Sequence, residues 1–150
     1  MKRKLTYPSF LLYCAIMLWM LFDRDRYDPT QTYQSQLLQH LNLIPFRTNW
    51  AYIQILLSPE SFQQLRHGVI CLFGNILTFI PLGLFLPLLW KRFRKFLHTL
   101  LAGGTAVICI ELLQLFTLTG SCDIDDLVLN LLGITLGYTT YRLLHRTPST

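Results

Sequence analysis

The chain has 150 residues, of which 52% are hydrophobic and 14% charged, with a formal net charge of +5 at pH 7. Soluble domains carry about 25% charged residues, so this balance excludes an ordinary soluble protein, and 8 glycines and 7 prolines in an apolar chain exclude collagen-like, coiled-coil and disordered classes. Length and a mean hydropathy of +0.39 leave a small multi-span membrane protein of one domain, residues 1–150, which the segments below resolve into an all-α, four-span transmembrane helical bundle.

Lys2, Arg3 and Lys4 precede a hydrophobic stretch from Tyr7 to Phe22, with Pro8 and Ser9 suited to a helix start. A basic start before an apolar run is also how a secretory signal begins, but Asp23-Arg24-Asp25-Arg26 follows in place of a small-residue cleavage site. The bulky Tyr13 before Cys14 likewise argues against lipid attachment. Residues 7–22 are therefore read as an uncleaved first span.

Residues 23–67 form an external segment, polar at first and apolar again from Asn42 to Ile53. Its run Trp50 to Leu57 is too short to span, and Trp and Tyr favour the membrane interface, so an interfacial or re-entrant piece is expected there. From Gly68 to Trp90 no residue is charged, and about 20 apolar residues suffice to cross as a helix. Residues 68–90 are thus the second span. Pro81 removes a backbone donor, frees the carbonyl near Leu77 and is expected to kink that helix, as Pro87 interrupts it further on. A third span covers about 97–118, with Glu111 as its acid, and a fourth about 124–144, acidic in its first turn. Gly133 and Gly137 form a G-x-x-x-G step, and Ala102, Gly103, Gly104 and Ala106 flatten one face of the third span. Close packing of the third and fourth helices is expected.

Cytoplasmic loops carry the excess of Lys and Arg. Lys2, Arg3, Lys4, Lys91, Arg92, Arg94, Lys95, Arg142 and Arg146 fall on one side; Arg24, Arg26, Arg47 and Arg66 fall on the other. Both termini are expected in the cytoplasm. The pI of about 9.2 follows from this bias and from affinity for anionic membrane lipid, and no nucleic-acid partner is implied. Cys14, Cys71, Cys109 and Cys122 show neither a C-x-x-C spacing nor a Cys/His cluster, so they read as small apolar residues. No zinc or redox site and no cofactor is implied.

Polar side chains at membrane depth are costly and point to function. Asn75 sits about 10 Å into the second span at ~1.5 Å per residue. Glu111 lies at a similar depth in the third, with Gln114 nearer the surface, and Asp126 and Asn130 occupy the first turns of the fourth. Glu111 and Gln114 are spaced i,i+3, and Asp126 and Asn130 i,i+4, so each pair shares a face. A ligand-binding cluster from three helices, converging on the outer leaflet, is expected. The plainer account is interhelical hydrogen bonding, worth about 0.6–2 kcal/mol per bond; Gln at position 111 would provide that at lower cost than Glu. Directly above, Asp123, Asp125 and Asp126 suit a helix N-terminus. They could also pair with Arg47, Arg66 or His67, bind a divalent cation through oxygen ligands, or move protons. Glu111 and Asp126 are the candidate general acid and base. No Ser-His or Cys-His arrangement suggests a covalent nucleophile, and no glycine-rich phosphate loop is present.

Four motifs, Asn42-Leu43-Ile44-Pro45-Phe46, Asn75-Ile76-Leu77-Thr78-Phe79-Ile80-Pro81-Leu82-Gly83, Glu111-Leu112-Leu113-Gln114 and Asp123-Ile124-Asp125-Asp126-Leu127-Val128-Leu129-Asn130-Leu131-Leu132-Gly133, follow in order. In order and spacing they resemble the VanZ-like family, over roughly residues 42–137. The resemblance implies a small multi-pass protein of the bacterial cytoplasmic membrane, with relatives linked to teicoplanin (lipoglycopeptide) resistance. It places family motif positions at Asn75, Pro81, Gly83, Glu111, Gln114, Asp123, Asp126, Asn130 and Gly133. It also implies an arginine three residues before the first aspartate of the acidic turn, where this chain has Gly120. Two classes of function follow. One is a pocket binding a lipid-linked envelope precursor or a lipoglycopeptide; the other is an intramembrane enzyme acting on a lipid-linked substrate through Glu111 or Asp126, with Asn75, Gln114 and Asn130 positioning it. Four short spans without inverted repeats argue against a solitary transporter.

Overall fold

A long apolar run without water around it must satisfy its backbone internally, which a helix does within one segment. The computed structural model, which describes residues 3–23 and 27–145, accordingly runs α1 (Arg3–Phe22), α2 (Tyr33–Gln39), β1 (Leu41–Asn42), α3 (Arg47–Leu57), α4 (Phe62–Leu89), α5 (Phe96–Thr117), β2 (Cys122–Asp123) and α6 (Ile124–Leu144). A 3₁₀ turn, Lys91–Arg94, joins α4 to α5. Four stretches, Leu5–Phe22, Phe62–Leu89, Phe96–Thr117 and Ile124–Leu144, are long and apolar enough to cross a membrane. The protein is a nearly all-α, multi-pass membrane protein. Lys2, Arg24, Asp25, Arg26 and Arg146, which enter the charge count and the anchor argument, lie outside the described residues, as do the side chains of Arg3 and Lys4.

Two helices start earlier than hydropathy suggests. Pro8 lies inside α1 rather than at its start, and the Ser9 hydroxyl donates to the Leu5 carbonyl at 2.9 Å. α4 begins at Phe62, well before Gly68, because Ser61 caps it by accepting from the Gln64 N–H at 3.2 Å while the Gln64 carboxamide accepts from the Glu60 N–H at 3.1 Å. Such a Ser-x-x-Gln box is a start signal independent of hydrophobicity; the turn it opens is polar, so an apolar count passes over it. α4 then runs unbroken through Pro81 and Pro87.

The tightest crossing lies between α4 and α6. A Cβ on Gly133 would stand 2.3 Å from the Ile76 oxygen, one on Gly137 2.0 Å from the Ile80 oxygen, and one on Gly83 2.1 Å from the Ile134 oxygen. The G-x-x-x-G step therefore faces α4, not α5 as its neighbouring small residues suggest. The flat face of α5 instead receives side chains from α6, with Ile134 seated on Gly103 and Leu131 on Gly104. Reciprocal glycines on α4 and α6 let backbone meet backbone, whereas α5 offers a slot that a knob can fill. Around this crossing Phe79, Val107 and Ile134 are buried with Met17, Leu21, Leu82, Leu86 and Ile110. Outward, Leu12, Trp19, Phe73, Leu77, Leu101 and Leu112 stay exposed, a surface suited to lipid tails.

The segment between α1 and α4 is docked on one end of the bundle. β1 pairs parallel to β2, Leu41 opposite Cys122 and Asn42 opposite Asp123, a pairing that the all-helical reading did not contain. The Cys122 N–H extends it to the His40 carbonyl at 2.9 Å, and the Tyr33 hydroxyl reaches the Phe116 carbonyl at 2.8 Å. Lys91, Arg92, Arg94, Lys95 and Arg142 sit at the opposite end, where the Tyr138 hydroxyl donates to the Arg94 carbonyl at 2.8 Å.

Candidate polar cavity and acidic corner

The turn between α5 and α6 shapes both sites. Leu118, at φ 55, ends α5, and the N–H groups of Thr119 and Gly120 fold back onto the Gln114 carbonyl at 3.1 and 3.3 Å. These bonds satisfy a helix-end carbonyl that would otherwise be orphaned. The chain then extends through β2, and Asp123 caps α6 by accepting from the Asp125 N–H at 2.8 Å.

From that cap the acids divide. The other oxygen of Asp123 accepts from the Thr48 hydroxyl at 2.6 Å and from the Asn42 carboxamide at 3.1 Å. Asp125, 1% exposed, accepts three backbone N–H groups of the docked segment: Phe46 at 2.6 Å, Thr48 at 2.9 Å and Asn49 at 3.0 Å. These are the donors at the start of α3, whose own N-cap residue, Phe46 at φ 63, contributes no side-chain cap. A carboxylate from α6 therefore caps α3, where the helix dipole also favours it. Asp123 and Asp125 are thus engaged by the segment's backbone, Thr48 and Asn42.

Asp126 turns the other way, into a cavity of about 160 Å³. Asn75, Glu111, Gln114, Asp126 and Asn130 all line it, so the five polar residues singled out at membrane depth do come together; Asp123 is not part of the lining. The Asn75 carboxamide donates to Asp126 at 2.6 Å, and the Gln114 carboxamide to the Leu21 carbonyl at 2.8 Å, which ties α5 to the end of α1. Asn130 donates to Glu111 across a long 3.4 Å. Glu111 and Asn130 are 7% and 2% exposed, and Glu111 Oε2 and Asn130 Oδ1 have no hydrogen-bond partner among the described residues. Buried orphans of this kind are rare and costly.

Sequence reasoning missed part of the lining. Tyr52 from α3 and Cys71 from α4 both reach the cavity. His67, one turn before Cys71, brings its two ring nitrogens to 3.8 and 3.7 Å from the thiol and packs its ring 5.9 Å from that of Tyr52. The i,i+4 spacing of His67 and Cys71 was the available signal for this contact. Near-equal distances to both nitrogens mean that neither lone pair points at the sulfur, so the pair is not aligned as base and nucleophile. Burial, then the Cys71 thiol, hold the Tyr52 phenol well above its usual range, leaving a neutral hydroxyl. Burial also pushes up the Cys122 thiol, helped by the Glu111 and Asp123 charges. Among the described residues no group of three or more His, Cys, Asp or Glu stands ready to hold a metal ion.

A family model described as VanZ/LLP1 matches residues 10–145. The chain belongs to the VanZ/LLP1 family. No curated protein and no solved structure matches it. The match reaches from within α1 to the end of α6, beyond the stretch that carries the motifs. In this VanZ/LLP1 chain the motif positions separate by location: Gly83 and Gly133 lie at the α4–α6 crossing, Asp123 at the corner, and Asn75, Glu111, Gln114, Asp126 and Asn130 around the cavity. Gly120 also lines the cavity, and a Cβ there would stand 3.0 Å from that of Gln114.

Proposed function

We propose that this VanZ/LLP1 protein binds, in its polar cavity, the headgroup of a lipid-linked cell-envelope component or of an amphiphilic glycopeptide antibiotic, and so contributes to teicoplanin-type resistance. The observation that carries the reading is the convergence of five polar membrane-depth residues on one cavity that leaves Glu111 Oε2 and Asn130 Oδ1 unmet. Whole-ligand pockets occupy roughly 300–1,000 Å³, so about 160 Å³ suits one polar group of a larger amphiphile. The apolar remainder lies along the exposed Phe73, Leu77 and Leu112. The cavity opens toward the outer leaflet of the bacterial cytoplasmic membrane, with both termini in the cytoplasm. The basic residues at the far end of the bundle support that orientation. The exposed Trp50, Ile53 and Leu57 of α3 support an interfacial position for the docked segment.

An intramembrane enzyme is the second reading, favoured by the uncommitted Glu111 Oε2, which is available for proton transfer to a lipid-linked substrate beside Asp126. The test compares Glu111→Gln and Asp126→Asn with the unaltered chain for membrane abundance and for teicoplanin susceptibility of expressing cells. Normal abundance with lost protection is expected, and unchanged susceptibility in both variants overturns the reading. Recovery of the bound amphiphile chemically unaltered separates binding from turnover.

A further inference from the structure

The lining of the cavity is one-sided in charge. It holds two carboxylates, Glu111 and Asp126, and, among the described residues, no Lys, Arg or His. Each of its carboxamides already spends an N–H within the protein, Asn75 on Asp126, Gln114 on Leu21 and Asn130 on Glu111, and Tyr52, Thr78 and Ser121 add hydroxyls to the wall. Glu111 Oε2 and Asn130 Oδ1, on two side chains at least nine-tenths buried, both lack a donor, and neither satisfies the other unless a hydrogen is supplied.

Resting on the binding reading above, we propose that the group this cavity takes is a primary ammonium and not a phosphate. An ammonium brings three N–H donors and a positive charge. The donors meet the two orphaned oxygens, and the charge offsets the repulsion between two carboxylates held in a small, weakly screened space. A phosphate brings only further acceptors and a charge of the wrong sign. Water or a sugar hydroxyl brings a donor but no positive charge. The volume, about 160 Å³, admits an ammonium on a short stem. Such a group can come from a lipid headgroup or from a soluble amine.

The test uses the full chain reconstituted in vesicles containing equal phosphatidylethanolamine and phosphatidylcholine, with native mass spectrometry reading the retained lipid. Both lipids carry the phosphate, and both carry a positive nitrogen, but only the first has N–H donors. Phosphatidylethanolamine is expected to be retained about tenfold over phosphatidylcholine, the worth of one charge-assisted hydrogen bond. Glu111→Gln is expected to abolish the preference. Free ethanolamine at millimolar concentration distinguishes the sources: competition points to a soluble amine, and resistance to competition points to the lipid headgroup. Equal retention together with no effect of ethanolamine overturns the proposal, as does displacement by inorganic phosphate. These readings need only the unaltered chain, so they stand if Glu111→Gln fails to fold. Equal retention with no effect of ethanolamine, alongside an intact effect of the cavity variants on teicoplanin susceptibility, removes the ammonium alone. A clear preference with unchanged susceptibility removes the antibiotic reading alone.

Discussion

Asp125 and Asp126 are neighbours in sequence, yet one helps close a joint and the other lines an opening. At the acidic corner every oxygen of Asp123 and Asp125 receives a donor, and five of the six bonds arrive from backbone or side chains at the docking interface or the helix cap within 3.0 Å. In the cavity, Asn130 reaches Glu111 only across 3.4 Å, and Glu111 Oε2 has no hydrogen-bond partner among the described residues. A satisfied carboxylate is structure, because removing it strands its donors. A carboxylate left unsatisfied at depth costs stability, and that cost marks it as held for something else.

The sharpest way to break the comparison is at the corner. Asp125→Ala strands the N–H groups of Phe46, Thr48 and Asn49 at the start of α3. Hydrogen bonds to a charged group are worth about 1.5–3 kcal/mol each and do not add fully, so a loss of about 3–5 kcal/mol is expected. Thermal unfolding of the detergent-purified protein measures it, and a loss below about 1 kcal/mol would show that the docked segment holds without its cap. Gly137→Ala comes next and acts beneath both regions. Its Cβ would meet the Ile80 carbonyl at 2.0 Å, a backbone atom that cannot swing aside. Overpacking costs about 1–3 kcal/mol, and the same unfolding assay is expected to show it with the corner and the cavity loosened together. An unchanged midpoint would mean that α4 and α6 can part freely.

What sequence makes legible and what it hides differ between the same two regions. The spans follow from apolar length, and the cavity residues from helix periodicity and rise, since Glu111 with Gln114 and Asp126 with Asn130 need only local geometry to share a face. The corner depends on contacts between residues far apart in the chain: Asn42 with Asp123, and Phe46 to Asn49 with Asp125. Acids at a helix start announce a cap for their own helix, and nothing local says that Asp125 caps another. The G-x-x-x-G step likewise reveals a flat face but not its neighbour, which the reciprocal Gly83 on α4 decides. The early start of α4 was legible in Ser61-x-x-Gln64, a signal that hydropathy does not carry.

A finer cut at the corner is Thr48→Val, which keeps the shape of the side chain and removes its donation to Asp123 at 2.6 Å and its acceptance from Asn42 at 2.7 Å. Asp123 retains the Asn42 and Asp125 donors, so the expected cost is about 1–2 kcal/mol, with cavity binding unchanged. Loss of binding at full stability would mean that the corner and the cavity act as one unit.

Glu111→Gln is expected to have the smallest effect on stability and one opposite in sign to Asp125→Ala. The amide keeps an oxygen to accept from Asn130 and gains an NH₂ that donates toward the unmet Asn130 Oδ1, so the pair becomes complementary. Unfolding in detergent should be unchanged or raised by up to about 1 kcal/mol, while retention of an ammonium headgroup falls. A destabilisation as large as that of Asp125→Ala would place Glu111 among the structural acids and erase the distinction between the two regions. A more stable protein that no longer binds would instead show that the chain keeps a carboxylate at position 111 at the expense of its own stability, which hydrogen-bonded glue would not require.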